Sequence, residues 1–224
     1  MLVQSPQTVK FQSNPNFGAL KIATAKNCVR GLNTKIDIYK LTEKDGKFVD
    51  FLDNNIKYRE LTSGLSTDMQ DRWQKIFHYC IEEIKDGFNQ NYIAVSDNKV
   101  CGVSTYYCNG TSSYLDGICK IPAPGGDEIP LIGKSLILNF FKSAQKANSK
   151  TIKLDAVKDG PFDVISLYEK LGFKKVFQAE DTGNYQAMEM NKYKLKEQIA
   201  NLEKCINYKD VQNSEDVSLM DFVV

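Results

Sequence analysis

The sequence is short of the residues from which most metal and nucleophile sites are built. It holds one histidine, His78, in 224 residues. Its six cysteines are Cys28, Cys80, Cys101, Cys108, Cys119 and Cys205. None forms a C-x-x-C pair, so zinc-ligand spacing is absent and no metal is expected. An excess of one charge is lacking too: 29 Lys and Arg against 28 Asp and Glu leave a net charge of +1. A general nucleic-acid binder carries a much stronger basic excess, so nucleic acid is not the expected partner. No run approaches the roughly 20 apolar residues of a membrane helix, and the N-terminus lacks the apolar stretch of a secretory signal. These absences point to a soluble, cytoplasmic protein with reduced thiols.

Acidic residues are missing altogether from residues 1–36, which carry five Lys and Arg among many Ser, Thr, Asn and Gln. With no periodic apolar face to bury, residues 1–34 are expected to form a flexible basic leader, with an export or targeting role as the alternative. The rest of the chain has the material for a core. At 42% hydrophobic and 25% charged residues, it reads as one globular domain with extensions.

Periodicity divides that domain. A short strand is expected at 35–42 and a helix at 47–60. A longer helix should run from Ser66 or Thr67 to Asp86, with Trp73, Ile76, Phe77, Cys80, Ile81 and Ile84 at helical spacing and Gly87 ending it. His78 lies off that stripe and reads as a surface residue. Strands are expected at 91–95 and 100–107 around a hairpin turn, and at 114–121. A helix over 131–147, a strand over 151–157, a helix over 161–171 and strands at 175–177 and 185–190 complete the domain. The order describes an α/β (α+β) fold: a mostly antiparallel, mixed sheet of about seven strands flanked by helices, with one strand–helix–strand crossover. Residues 191–207 form an amphipathic helix with Leu195, Ile199, Leu202 and Ile206 on one side, suited to packing on the domain, on a second copy or on another partner. Residues 208–224 read as a flexible tail, acidic and then apolar.

Local text narrows the fold further. The stretch Ile165-Ser166-Leu167-Tyr168-Glu169-Lys170-Leu171-Gly172-Phe173 resembles the helix ending in Leu-Tyr-x-Lys-Leu-Gly-Phe of the GNAT superfamily of acyl-CoA-dependent N-acetyltransferases. Gly172 suits a left-handed helix C-cap, and Phe173 can fold back onto the helix. The resemblance covers about 35–190 and implies a GNAT-like domain around a central strand–helix–strand–helix unit. The strand–loop–helix of 114–147 would then hold the CoA pyrophosphate on backbone amides at a helix N-terminus.

The resemblance breaks at that loop. Where the family reads Gln/Arg-x-x-Gly-x-Gly/Ala, this chain reads Glu128-Ile129-Pro130-Leu131-Ile132-Gly133, with Glu128 at the basic or amide position and Leu131 at the first glycine. Gly125-Gly126 could supply the tight turn instead, and Lys134 and Ser135 could add contacts to phosphate. Pro161 stands where the family often has Asn. On this resemblance, Cys119, Lys120, Ile121, Gly126, Ile132, Gly133, Lys134 and Ser135 are the expected acetyl-CoA contacts. The implied reaction is direct attack of a primary amine on the thioester through a tetrahedral intermediate. Tyr168 would protonate the departing thiolate, and Asp116 or Asp155 would take the amine proton. A backbone N–H near Lys120–Ile121 would stabilise the oxyanion. Cys119 lies nearby, either as a reactive thiol or, lacking a histidine partner, as a buried structural residue. The helices of 47–86 and the aromatic-rich segment 88–114 would shape the site for the amine acceptor, a small molecule or a protein. The altered loop keeps a second reading open: a catalytically inactive GNAT-like module that binds acyl-CoA or a protein partner.

Overall fold

In a computed structural model the described residues are 19–28, 34–57, 61–62, 64–87, 89–121, 131–160, 162–177, 183–211, 216–217, 219 and 222. Burial identifies the centre of the sheet. Strand β3 (Gln90–Ser96) is buried at every position from Asn91 on, and β4 (Lys99–Cys108) at every position from Val100 to Tyr106. Such runs require helices on both faces. The hairpin between them turns through Asp97 and Asn98, both with positive φ, the conformation a tight two-residue hairpin demands and Asn and Asp tolerate.

The flanking strands are β1 (Ala19–Asn27), β2 (Lys35–Lys40), β5 (Ser112–Lys120), β6 (Thr151–Val157), β7 (Lys174–Lys175), β8 (Tyr185–Asn191), β9 (Ile206–Asp210) and β10 (Asp216–Val217). The sheet has ten strands rather than about seven. Nine follow the order β10-β1-β2-β3-β4-β5-β6-β8-β7, and β9 lies beside β10 on the outer edge of β1. Every pairing is antiparallel except β5 with β6. That parallel pair is joined by the helical crossover such a connection needs.

Helices α1 (Gly46–Asn55) and α2 (Thr67–Asp86) cover one face. Phe48, Leu52, Phe77, Cys80 and Ile81 pack there on Ile93, Val95, Val103 and Cys119. The Ser66 hydroxyl caps α2, and Gly87, at φ 73°, ends it, as its sequence implied. Helices α3 (Ile132–Lys146), α4 (Val164–Lys170) and α5 (Lys192–Glu203) contribute to the core on the other face. There Leu136, Phe140 and Ala144 of α3 meet Tyr106, Leu154 and Met188. No helix among the described residues is long and apolar enough to cross a membrane.

Both expected extensions differ from their sequence reading. Residues 19–27, within the expected leader, form β1, with Ala19, Ala23 and Ala25 buried. At the other end the helix stops at Glu203, so Ile206 opens β9 instead of closing the helix. Beyond it Leu219 and Phe222 are buried in the α1/α2-side core, the Phe222 ring 5.1 Å from that of Tyr39. Leu195, Ile199 and Leu202 are buried in the α3-side core, so this apolar face is satisfied within the domain.

Candidate active site

The site is built where β5 and β6 part. They pair only from Ser112/Thr151 to Leu115/Leu154. Immediately past that point Asp116 is an extra residue in β5: Leu115 lies opposite Tyr106 and Gly117 opposite Thr105, with Asp116 between. A bulge of this kind bends its strand and redirects side chains. Leu115 faces the α3-side core, whereas Asp116 and Gly117 both turn toward α2. The absence of a side chain on Gly117 permits this packing, because a Cβ there would sit 2.8 Å from Cys80 Sγ and 3.0 Å from Thr105 Cγ2.

A cavity of about 420 Å³ fills the opening. It reaches from α2, through the gap between Asp116–Ile118 and Asp155–Val157, to Val164 and Tyr168 of α4. Tyr168 is 7% exposed, and its hydroxyl makes no hydrogen bond among the described residues. Burial pushes this phenol well above the ordinary tyrosine range, so it carries its proton at neutral pH. Its ring is fixed edge-on to Phe173 at 5.7 Å. Phe173 is held in turn by the helix end: Gly172, at φ 90°, donates its N–H to Glu169 O (2.9 Å), and Phe173 donates to Tyr168 O (3.0 Å). This is the Schellman closure the Leu-Gly-Phe text implied. Helix α4 starts at Val164, capped by the Asp163 carboxylate on the Ser166 N–H; Pro161 lies outside the described residues.

Two carboxylates face the cavity from the strands. Asp116 accepts from Tyr79 Oη at 3.1 Å and from Asn89 Nδ2 at 2.5 Å. Asn89 also reaches Glu83 at 3.5 Å, bridging the two acids. Burial and the nearby Asp116 carboxylate raise the pKa of Glu83. Asp155 accepts from Tyr114 Oη at 2.8 Å, and Tyr114 stacks on Tyr107 at 5.8 Å. Tyr79, Glu83 and Asn89 were not anticipated. They come from α2 and the loop after it, the face to which Asp116, next to the inward-facing Leu115, is turned.

The expected cofactor residues are distributed unevenly. Ile132, Gly133, Lys134 and Ser135 form the first turn of α3, where the first intrahelical bond runs from Ser135 N to Leu131 O. The amides of Ile132, Gly133 and Lys134 therefore precede the helical ladder. Leu131 has φ 71°, so the backbone keeps the left-handed conformation natural to glycine, at a cost of roughly 1–2 kcal/mol. A Cβ on Gly133 would meet nothing nearer than Lys120 at 3.9 Å, so its own fold does not require glycine there. The first turn holds no acidic residue, Lys134 is exposed, and Ser135 Oγ is buried without a hydrogen-bond partner among the described residues. These features fit an anionic group at this helix start. The Ile132 side chain is core, its Cγ2 lying where a Cβ of Gly102 would be. Cys119 is not at the cavity: it is 1% exposed in the α1/α2-side core, as a structural thiol would be. Gly125, Gly126 and Glu128 lie outside the described residues.

One expected donor changes. The Ile121 N–H bonds Cys101 O at 2.9 Å, so it points to β4 and not into the gap. Antiparallel alternation then turns the N–H groups of Lys120 and Ile118 toward the β6 side, and Ile118 lines the cavity. His78 is a surface residue, 3.5 Å from Asp53, and with Glu82 these ligand atoms cluster within 4.8 Å. The Lys85 ammonium, 2.7 Å from Asp53 and 3.7 Å from Glu82, already compensates that group.

No family model and no curated protein matches the chain. Among solved structures it is similar to an uncharacterized protein from Bacillus halodurans: TM-score 0.53 and 11% identity over 85% of this chain and 98% of that one. The PaiA N-acetyltransferase of Thermoplasma acidophilum in complex with coenzyme A gives a TM-score of 0.45 and 20% identity, covering 70% of this chain and 98% of that one. An aminoglycoside 6'-acetyltransferase type Ii gives 0.46 and 15%, over 69% and 96%. The single parallel pair parting around a buried tyrosine and the strand–helix–strand–helix unit form the mixed-sheet α/β fold that the sequence resemblance implied.

Proposed function

We propose that the chain transfers an acetyl group from acetyl-CoA to a primary amine. The observation that carries this reading is the parting of β5 and β6 around a cavity containing the unpartnered, buried phenol of Tyr168. Acetyl-CoA would supply the activated acyl group, with its phosphates at the amides of Ile132, Gly133 and Lys134 and near the Lys134 ammonium.

The chain's own residues divide the remaining work. An amine attacks only when neutral, and Asp116 lies in the cavity wall as the acceptor of its proton, with Asn89 bridging it to Glu83. The Ile118 N–H, turned toward the gap, is the donor for developing negative charge on the carbonyl oxygen. Tyr168 remains protonated at neutral pH and donates to the departing sulfur. Asp155, held by Tyr114, is a binding residue in this scheme.

Calorimetry with acetyl-CoA, followed by thiol release in the presence of amines, tests the reading. Tyr168→Phe should keep CoA affinity and lose about 10²-fold in turnover, the scale of one general acid. Full activity of that variant would remove Tyr168 from the mechanism. The strained Leu131 at the expected glycine favours one second reading, an inactive acyl-CoA-binding module. Tight CoA binding with no turnover on any amine would establish it.

A further inference from the structure

The cavity is lined by Arg72 and Lys75 of α2 and by three aspartates, Asp116, Asp155 and Asp159. Lys120, at the C-terminal end of β5, lies outside that lining, its ammonium 5.9 Å from the centre of the Trp73 ring and its stem beside Gly133. Arg72 is engaged, at 3.0 Å from Asp68 and 2.8 Å from the Asp159 carbonyl. Toward the point where the strands part, the wall turns acidic and aromatic. Asp116, Asp155 and the neighbouring Glu83 have no Lys or Arg partner among the described residues. Among the described residues their donors are neutral: Tyr79, Asn89 and Tyr114. Elsewhere carboxylates are commonly paired, as Asp37 is with Lys21 and Lys35, Asp53 with Lys85 and Glu203 with Lys142.

Two further observations tie this acidic end to a ligand. The same cavity is lined by Tyr168, a residue only 7% exposed whose hydroxyl has no hydrogen-bond partner among the described residues. Tyr79 and Tyr185 also line it while 42% and 44% exposed, leaving ring area available at its mouth. Carboxylates with spare lone pairs beside tyrosine faces form a site for a cation, through charge-assisted hydrogen bonds and cation–π attraction. An acceptor bearing a carboxylate of its own would meet repulsion there.

We propose that the acceptor is a diamine or longer polycation, whose second ammonium group is held by Asp155 and the Tyr79/Tyr114 rings while the first, near Asp116, reacts. The assignment of the reacting end rests on the acetyl-transfer reading; the cation site does not. In the reaction, the first ammonium loses one proton to solvent and the neutral nitrogen forms the N–C bond. The tetrahedral intermediate then breaks its C–S bond as the remaining amine proton passes to Asp116. The sulfur leaves as the CoA thiol with a proton from Tyr168, and water returns the proton on Asp116 to the Tyr168 phenolate.

The test compares 1,5-diaminopentane, 1-aminopentane and 6-aminohexanoate as acceptors with saturating acetyl-CoA, using the full chain. The diamine should exceed the monoamine in kcat/KM by about tenfold, the range of a desolvated cation site, with 6-aminohexanoate the poorest. In Asp155→Asn that preference should fall below about threefold, mainly through KM. A monoamine as good as the diamine, or a favoured 6-aminohexanoate, would overturn the proposal. If calorimetry shows no acetyl-CoA binding, the acetyl-transfer reading fails separately, and calorimetry of the three amines alone then decides the cation site. Tighter diamine binding that Asp155→Asn weakens supports it; equal binding of all three rejects it.

Discussion

Asp116 marks the point where β5 changes face. Without the bulge, regular alternation would keep Gly117 on the same face as Leu115 and move every later side chain of β5 to the opposite face. Its neighbour Glu83 provides a test at this scale. Because the folded protein raises the Glu83 pKa, the folded state binds more protons than the unfolded chain. Stability should therefore fall as pH rises from the ordinary glutamate value of 4.5 through the raised one. Glu83→Gln should flatten that slope, measured as the urea midpoint across the pH series. A wild-type midpoint flat over this window would show that folding does not raise the Glu83 pKa. Tyr168 and Gly172 were legible in the sequence because one short helix and its cap carry both. Tyr79, Glu83 and Asn89 were not, since their contacts with Asp116 span 37 and 27 residues of sequence and leave no local pattern.

At the scale of elements, the candidate phosphate site depends on how closely α3 lies on the sheet. Gly102 sets that distance: a Cβ there would be 2.8 Å from Ile132 Cγ2 and 3.1 Å from Leu136 Cδ1. Gly102→Val should push the start of α3 outward at a cost of about 1–3 kcal/mol. It should weaken acetyl-CoA binding by more than it shifts the urea midpoint, and unchanged affinity would place the phosphates elsewhere. Helix α3 was readable from its apolar spacing, and so were the two central strands. β1 was not: alanine fills its buried positions, Ile22 interrupts its register, and lysines lie between. Alanine offers little β-propensity, so a genuine strand reads as a polar leader. β9, with the sequence Ile-Asn-Tyr-Lys-Asp, is hidden for a related reason, since Ile206 continues the helical spacing before it.

Across the whole molecule, the two ends of the described chain complete each other. β9 and β10 cover the outer edge of β1, and a buried network pins them. Tyr208 Oη donates to Asn139 Oδ1 at 2.7 Å, Asn139 Nδ2 donates to Tyr106 Oη at 2.8 Å, and Tyr106 meets Ser143 at 2.9 Å. Removing residues 206–224 would strip the burial of Ile206, Leu219 and Phe222 and expose that edge. At about 1.5–3 kcal/mol per side chain the loss should be about 5 kcal/mol, a large share of a domain's stability. Urea denaturation measures it, and an unmoved midpoint would show that these strands contribute nothing.

The pairing of Ala19 with Val217 also sets the start of β1 directly beside the end of β10. Tension applied between those two residues would pull across the ladder instead of along it, opening β10 from β1 one pair at a time before reaching β9. The sheet would yield to such a load by unzipping from its outer edge, with the parting of β5 and β6 four strands further in still untouched.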